Sequence, residues 1–305
     1  MGEVFQNFIV FMIFALGVVL VSYPTISNWY NEKTSSYVVG QYDETVGNKQ
    51  QEEYLKMFEQ AREFNELLKI TNRFLDATFN EELYEDSLDV IGGMMGYLEI
   101  DTINIRLPIY HGTSDGVLQK AVGHLEGSYL PTGDLGNSTV LTGHTGLPSA
   151  DLLTGLSAVE IGDTFNLKVL DKVYVYEVFE INVVEPYEVD KLNPIEDIDM
   201  VTLVTCTPYG VNSHRLLVHG KQITVEEEFE ESFDTEEQTQ QQFNVVKLIP
   251  IIVIPLLILL IMILILCRVV YVYYVFKDNG RYSIYYEMMF RGKITLLWVR
   301  QMERK

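Results

Sequence analysis

The sequence is poor in cysteine and in positive charge. Only two cysteines, Cys206 and Cys267, occur in 305 residues, which excludes a disulfide-stapled scaffold. Cys267 closes a run of lipid-compatible residues and is thereby kept away from any soluble domain. Cys206 is left as a single thiol that serves either as a small core residue or as a nucleophile. Lys and Arg number 22 against 43 Asp and Glu, a formal net charge of -21. A surface of that sign repels phosphates, so nucleic acid is excluded as a partner. The acids show no spacing that selects a calcium site over a solvated surface, and neither a metal nor a cofactor is implied.

What is present is apolar and aromatic. Hydrophobic residues make up 48% of the chain, with 19 Tyr and 15 Phe, a composition that favours half-buried pleated surfaces and a strand-rich fold. Residues 248–267 are uninterruptedly apolar, and about 20 such residues are what a helix needs to cross a bilayer. Residues 8–21 form a shorter apolar run with no small-x-small cleavage site after it, read as an uncleaved anchor rather than a removable signal. The few basic residues are concentrated in residues 268–305, where they outnumber the acids. A basic tail beside an acidic body places that tail in the cytoplasm. Two crossings then put both termini inside and residues 25–245 outside.

Six segments follow. Residues 1–24 are the membrane anchor or signal-anchor and residues 25–95 an extracytoplasmic helical segment. Within it, Leu55, Phe58, Ala61, Phe64, Leu67 and Leu68 recur at helical spacing across an amphipathic stretch assigned to residues 50–90. From residue 96 to about 225 the pattern changes to short apolar runs split by Gly, Pro, Asn and Asp, which predicts a small barrel or sandwich. Seven strands are expected, beginning near Gly96, Ile105, Thr139, Thr164, Val173, Val201 and Arg215. Residues 226–247 are an acidic, polar tether, followed by the 248–267 span and the 268–305 tail.

Cys206 ends the run Val201-Thr202-Leu203-Val204-Thr205, just before Thr207-Pro208-Tyr209-Gly210 turns the chain. A thiol at a strand end is rigid yet faces the loops, and it needs a proton acceptor or a positive charge to react. Five histidines are available. His144 sits in Leu141-Thr142-Gly143-His144-Thr145-Gly146, where a strand gives way to a glycine-flanked loop; His111 has a similar turn setting, and His124, His214 and His219 have none. Arg215 opens the run after Cys206, so adjacent antiparallel strands would bring the two to one end of a sheet. A guanidinium there is suited to an oxyanion. Each of these residues taken alone also reads as an ordinary surface or turn side chain.

Taken together they resemble the sortase family. Thr202-Leu203-Val204-Thr205-Cys206 followed by Arg215 matches the TLxTC and arginine motif, and Leu141-Thr142-Gly143-His144 matches the segment of the catalytic histidine. The stretches Leu107-Pro108-Ile109-Tyr110-His111-Gly112-Thr113-Ser114 and Gly123-His124-Leu125-Glu126-Gly127-Ser128-Tyr129-Leu130-Pro131 look like the class C, pilin-polymerising branch. The resemblance implies a mainly β fold: an eight-stranded sortase β-barrel with an N-terminal helical and lid segment and flanking transmembrane helices. It implies His144, Cys206 and Arg215 as the catalytic three. The activity implied is cysteine transpeptidation of an LPXTG-like sorting signal, cut between Thr and Gly through a thioacyl intermediate and joined to an amine. The partners implied are pilins or surface proteins bearing that signal and an acceptor amine. That amine is a pilin lysine in a polymerase or a cell-wall peptide amine in an anchoring enzyme; an inactive pilin-binding module is the non-enzymatic alternative. Class C enzymes carry a lid with an Asp-Pro-aromatic motif. Here the corresponding residues are Leu75-Asp76-Ala77-Thr78-Phe79, with Asp76 in the place of the acid, Phe79 in that of the ring, and no proline.

Overall fold

The computed structural model describes residues 2–70 and 80–223, together with residues 258, 259, 262, 263 and 270. The tether, nearly all of the 248–267 run and of the basic tail, and the lid residues Asp76 and Phe79 lie outside the described residues.

Helix α1 spans Gly2–Gly47. Its Ile9–Gly47 portion is long and apolar enough to cross a membrane. The helix runs unbroken through the boundary set at residue 24: Pro24 lies inside it, where it removes only one N–H donor. Further along, Val39, Tyr42 and Val46 repeat at three and four residues and are buried, so that one stripe of the helix packs on the barrel. The Tyr42 hydroxyl fastens it there, donating to Met95 O at 2.9 Å and accepting from Leu170 N at 2.8 Å.

Helix α2, Gln51–Ile70, carries the expected amphipathic face with two corrections. Phe58, Ala61, Phe64 and Leu68 are buried, but Leu55 and Leu67 are exposed, and Tyr54 and Asn65 take the buried positions. The buried stripe is therefore 54, 58, 61, 64, 65 and 68, one face of the helix at three- and four-residue spacing. Asn65 is buried because its amide is satisfied twice by one backbone site, donating to Leu130 O at 3.0 Å and accepting from Leu130 N at 2.8 Å. A short helix α3, Glu81–Asp86, follows; the 50–90 stretch is thus not one helix.

Eight strands close a barrel in the order β1-β2-β3-β4-β7-β8-β6-β5. They are β1 Met94–Ile100, β2 Ile105–His111, β3 Val122–His124, β4 Ser138–Thr142, β5 Thr164–Val169, β6 Lys172–Val184, β7 Met200–Thr207 and β8 His214–Ile223. Seven match the expected runs. The eighth, β3, is three residues long with Gly123 at its centre, too short for any alternation to register. That glycine is required by packing, because a Cβ there would stand 2.4 Å from Gly112 O. The barrel interior is filled by one contiguous cluster that includes Leu98, Ile109, Leu141, Phe165, Tyr176, Leu203 and Val218. Most neighbours run antiparallel, but β2–β3 and β4–β7 are parallel, the latter with Thr142 opposite Val204. The second of these parallel pairs places the site.

Candidate active site

Side chains on a strand alternate between faces. On β7, Val201, Leu203 and Thr205 are buried toward the barrel interior, so Cys206 shares the outer face with Thr202 and Val204. A second, smaller apolar cluster lies on that outer face, formed by Val140, Val184, Leu192 and Leu217 with Leu125 and Val204 against it. It makes an apolar floor beside the thiol. Leu192 comes from the short 3-10 turn Asp190–Leu192 in the connection between β6 and β7, which therefore folds over the floor as a wall. Cys206 itself is a free, half-buried thiol.

The register brings the three expected residues to one barrel end. Cys206 and Arg215 are direct cross-strand partners, which puts their Cα atoms about 4.5–5.5 Å apart. His144 follows the end of β4, and Gly143 N donates to Val204 O at 3.1 Å, the bond that closes the parallel pairing of Thr142 with Val204. His144 lies two residues past Thr142, and Cys206 two residues past Val204, so both leave the last paired position toward the same barrel end. With β4, β7 and β8 adjacent in that order, Cys206 on β7 stands between the end of β4, which leads to His144, and Arg215 on β8, a row of three at one barrel end.

Neighbouring groups hold this row in place. Thr205 Oγ1 donates to Gly143 O at 2.7 Å and is 2.8 Å from Thr145 Oγ1. Since the Thr205 proton is spent on Gly143, the Thr145 hydroxyl donates to Thr205, and the backbone on both sides of His144 is tied to the residue before the thiol. Arg215 Nη1 donates to Asn212 O at 3.3 Å and His214 O at 3.1 Å. These bonds tie one corner of the guanidinium to the turn before β8 and leave it a planar fork with further donors. Tyr209 lies in the β7–β8 turn, and a Cβ on Gly146 would stand 3.1 Å from its ring; the ring thus reaches across to the loop after His144.

The remaining histidines have other settings. His111 bridges Gly93 O at 2.9 Å and Ser87 O at 2.8 Å, between α3 and the start of β1. His124 is fully buried, and burial holds its pKa down at about 3. His219, also buried, lies 2.9 Å from Thr202 Oγ1 through Nδ1. His214 neighbours the row and was passed over by sequence reasoning. Its Nε2 is 3.3 Å from Glu185 Oε1 and its Nδ1 is 2.8 Å from Ser213 Oγ, linking β8 to the β6–β7 connection beside Arg215. No pattern in the chain pairs residues 185 and 214; only the β6–β8 register, which sets Val184 opposite Arg215, does so. Among the described residues no three His, Cys, Asp or Glu side chains converge on a point where a metal would sit.

A strand-end thiol with an imidazole and a guanidinium at the same end of a closed barrel is an arrangement with the groups that cysteine acyl transfer needs. Comparison with known proteins narrows the class. A model of the sortase domain matches residues 98–223. Sortase C1 from Streptococcus agalactiae is 38% identical, with a TM-score of 0.59, over 62% of this chain and 100% of that one. Sortase C from Streptococcus pneumoniae, described for its catalysis and pilin substrate specificity, is 38% identical with a TM-score of 0.55, over 62% of this chain and 97% of its own. Sortase D of Bacillus subtilis is 30% identical over 136 residues, 44% of this chain and 66% of that protein. The chain belongs to the sortase family, whose members are cysteine transpeptidases.

Proposed function

We propose that this chain is a class C-type sortase that cleaves an LPXTG-like sorting signal between Thr and Gly and joins the new acyl end to a lysine amine of another pilin. In the first step the Cys206 sulfur attacks the threonine carbonyl carbon. The C–N bond to glycine breaks, His144 gives its proton to the departing amine, and a thioacyl-enzyme remains. Arg215 holds the negative charge that develops on the carbonyl oxygen. In the second step the acceptor amine attacks the thioacyl carbon, His144 takes its proton, and the thiolate leaves.

The observation that carries this reading is the adjacency of β4, which leads to His144, β7 with Cys206 and β8 with Arg215 at one barrel end. Acid–base work and charge stabilisation are done from opposite sides of the sulfur, so neither group must displace the other. The acceptor is taken to be a pilin lysine because of the likeness to the pneumococcal sortase C. Asp76 and Phe79 are assigned to a lid over the thiol on sequence similarity alone, Asp76 pairing with Arg215. The catalytic domain is assigned to the outer face of the membrane, with both termini in the cytoplasm.

The test is transfer of a sorting-signal peptide by the full chain in detergent, with hydroxylamine as a trap for the thioacyl species. Cys206→Ala should abolish both transfer and trapped hydroxamate. His144→Ala and Arg215→Ala should each lower kcat by about 100-fold or more, the usual cost of a positioned acid or an oxyanion donor. Normal turnover in Arg215→Ala would remove the role given to it.

A further inference from the structure

The loop that carries His144 is gripped from outside the barrel by α1. Residues 144–153 form a closed excursion: Leu153 N donates to His144 O at 3.2 Å, and Leu147 and Ala150 form an antiparallel bridge between the two arms. The ascending arm begins at His144, and the descending arm is where α1 takes hold. Asn28 donates from Nδ2 to Asp151 Oδ2 at 2.5 Å and accepts from Asp151 N at 2.8 Å through Oδ1. One turn on, Asn31 Nδ2 donates to Ser149 O at 2.6 Å. The Asn28 amide also lies 3.2 Å from Glu32 Oε1, which orients it from its own helix.

These contacts differ from casual surface polarity in what they hold. Two asparagines one turn apart read two positions of one loop arm, Ser149 and Asp151, and two of the three bonds go to backbone atoms. Because Leu153 is only two residues beyond Asp151 and donates to His144 O, a shift of the descending arm passes to the histidine through one peptide bond pair. Leu153 also packs against Gly143, where a Cβ would stand 2.8 Å from Leu153 Cγ.

We infer that Asn28 and Asn31 are positioning residues: through Ser149 and Asp151 they set the height of the His144 loop against Cys206, so that the N-terminal helix is part of the active-site scaffold and not only an anchor. This rests on the function proposed above. A base or acid displaced by about 1 Å can lose up to about 100-fold in rate. The loop retains its own buried residues Ala150, Leu152 and Leu153, so removal of the bracket should loosen it rather than unfold it.

The experiment measures kcat and KM for a sorting-signal peptide with the full chain in detergent. Asn28→Ala with Asn31→Ala should lower kcat about tenfold and leave KM within about twofold, because the apolar floor and the wall from the β6–β7 connection are untouched. Asn28→Asp alone should lower kcat similarly, by setting two carboxylates against each other. Combining it with Asp151→Asn and Glu32→Gln should restore kcat to within about twofold of the parent, since the side-chain bond re-forms with donor and acceptor exchanged, the backbone N–H of residue 151 still donates to the residue-28 side chain, and no second carboxylate faces it. A merely structural role for α1 would not yield that recovery. An unchanged kcat in the double alanine variant, or no recovery in the exchange, overturns the inference while Cys206-dependent turnover leaves the function standing. Turnover that survives Cys206→Ala would overturn both.

Discussion

Tyr84→Phe removes one oxygen atom from the place where α3 meets the barrel, and its cost can be worked from the bonds lost. The Tyr84 hydroxyl accepts from Gly112 N at 2.9 Å and lies 2.9 Å from His124 Nδ1 and 3.2 Å from His124 O. His124 Nε2 lies 2.9 Å from Tyr129 O, a carbonyl that can only accept, so the ring proton is on Nε2 and Nδ1 accepts from Tyr84. The imidazole is neutral, in keeping with a pKa held down at about 3 by burial. Phenylalanine would leave Gly112 N–H and His124 Nδ1 without partners at a site closed to water, each costing about 1–3 kcal/mol. The expected loss is about 3 kcal/mol. With a urea m-value of about 2 kcal/mol/M, the midpoint for unfolding of the full chain in detergent should fall by roughly 1.5 M. A loss below about 1 kcal/mol would refute the assignment of Tyr84 as the group that satisfies both partners.

Three further outcomes are expected. Asp199, pushed up to about 7 by burial, keeps its proton in the folded protein at pH values where the unfolded chain has lost it, so its contribution to stability falls as pH rises from about 4 to about 7. Asp199→Asn should therefore gain stability over the parent by up to a few kcal/mol at pH 8 and little at pH 4 in urea titrations, and an advantage independent of pH would contradict this. Asp76→Ala should speed alkylation of Cys206 by a small thiol reagent by at most about tenfold, since an exposed ion pair contributes only about 0–1 kcal/mol and the 75–79 stretch lacks proline's fixed backbone angle; an unchanged rate would mean that these residues do not guard the thiol. Protease added to intact protoplasts should remove the barrel and spare a tag fused after Lys305, and loss of the tag would reverse the proposed topology.

What the sequence determined by itself was local. The strand runs around Leu98, Leu167 and Leu203 were legible because an apolar residue at every second position has only one face to bury. The candidates Cys206, His144 and Arg215 were legible because each stands where a strand pattern meets a turn pattern, and the motif match then joined them. Tertiary structure decided which ends meet. The parallel pairing of β4 with β7 brings His144 to the same barrel end as Cys206, although 61 residues of chain separate them, and no local signal distinguishes a parallel neighbour from an antiparallel one. The three-residue β3 and the polar position Asn65 in the buried face of α2 were equally hidden, one too short to show a period and the other polar by composition yet satisfied by Leu130. The same holds for Glu185 beside His214 and for Asn28 and Asn31 against Asp151 and Ser149. Such contacts depend on where the closed barrel places distant segments, and hydrogen bonding between them leaves no periodic trace in either one.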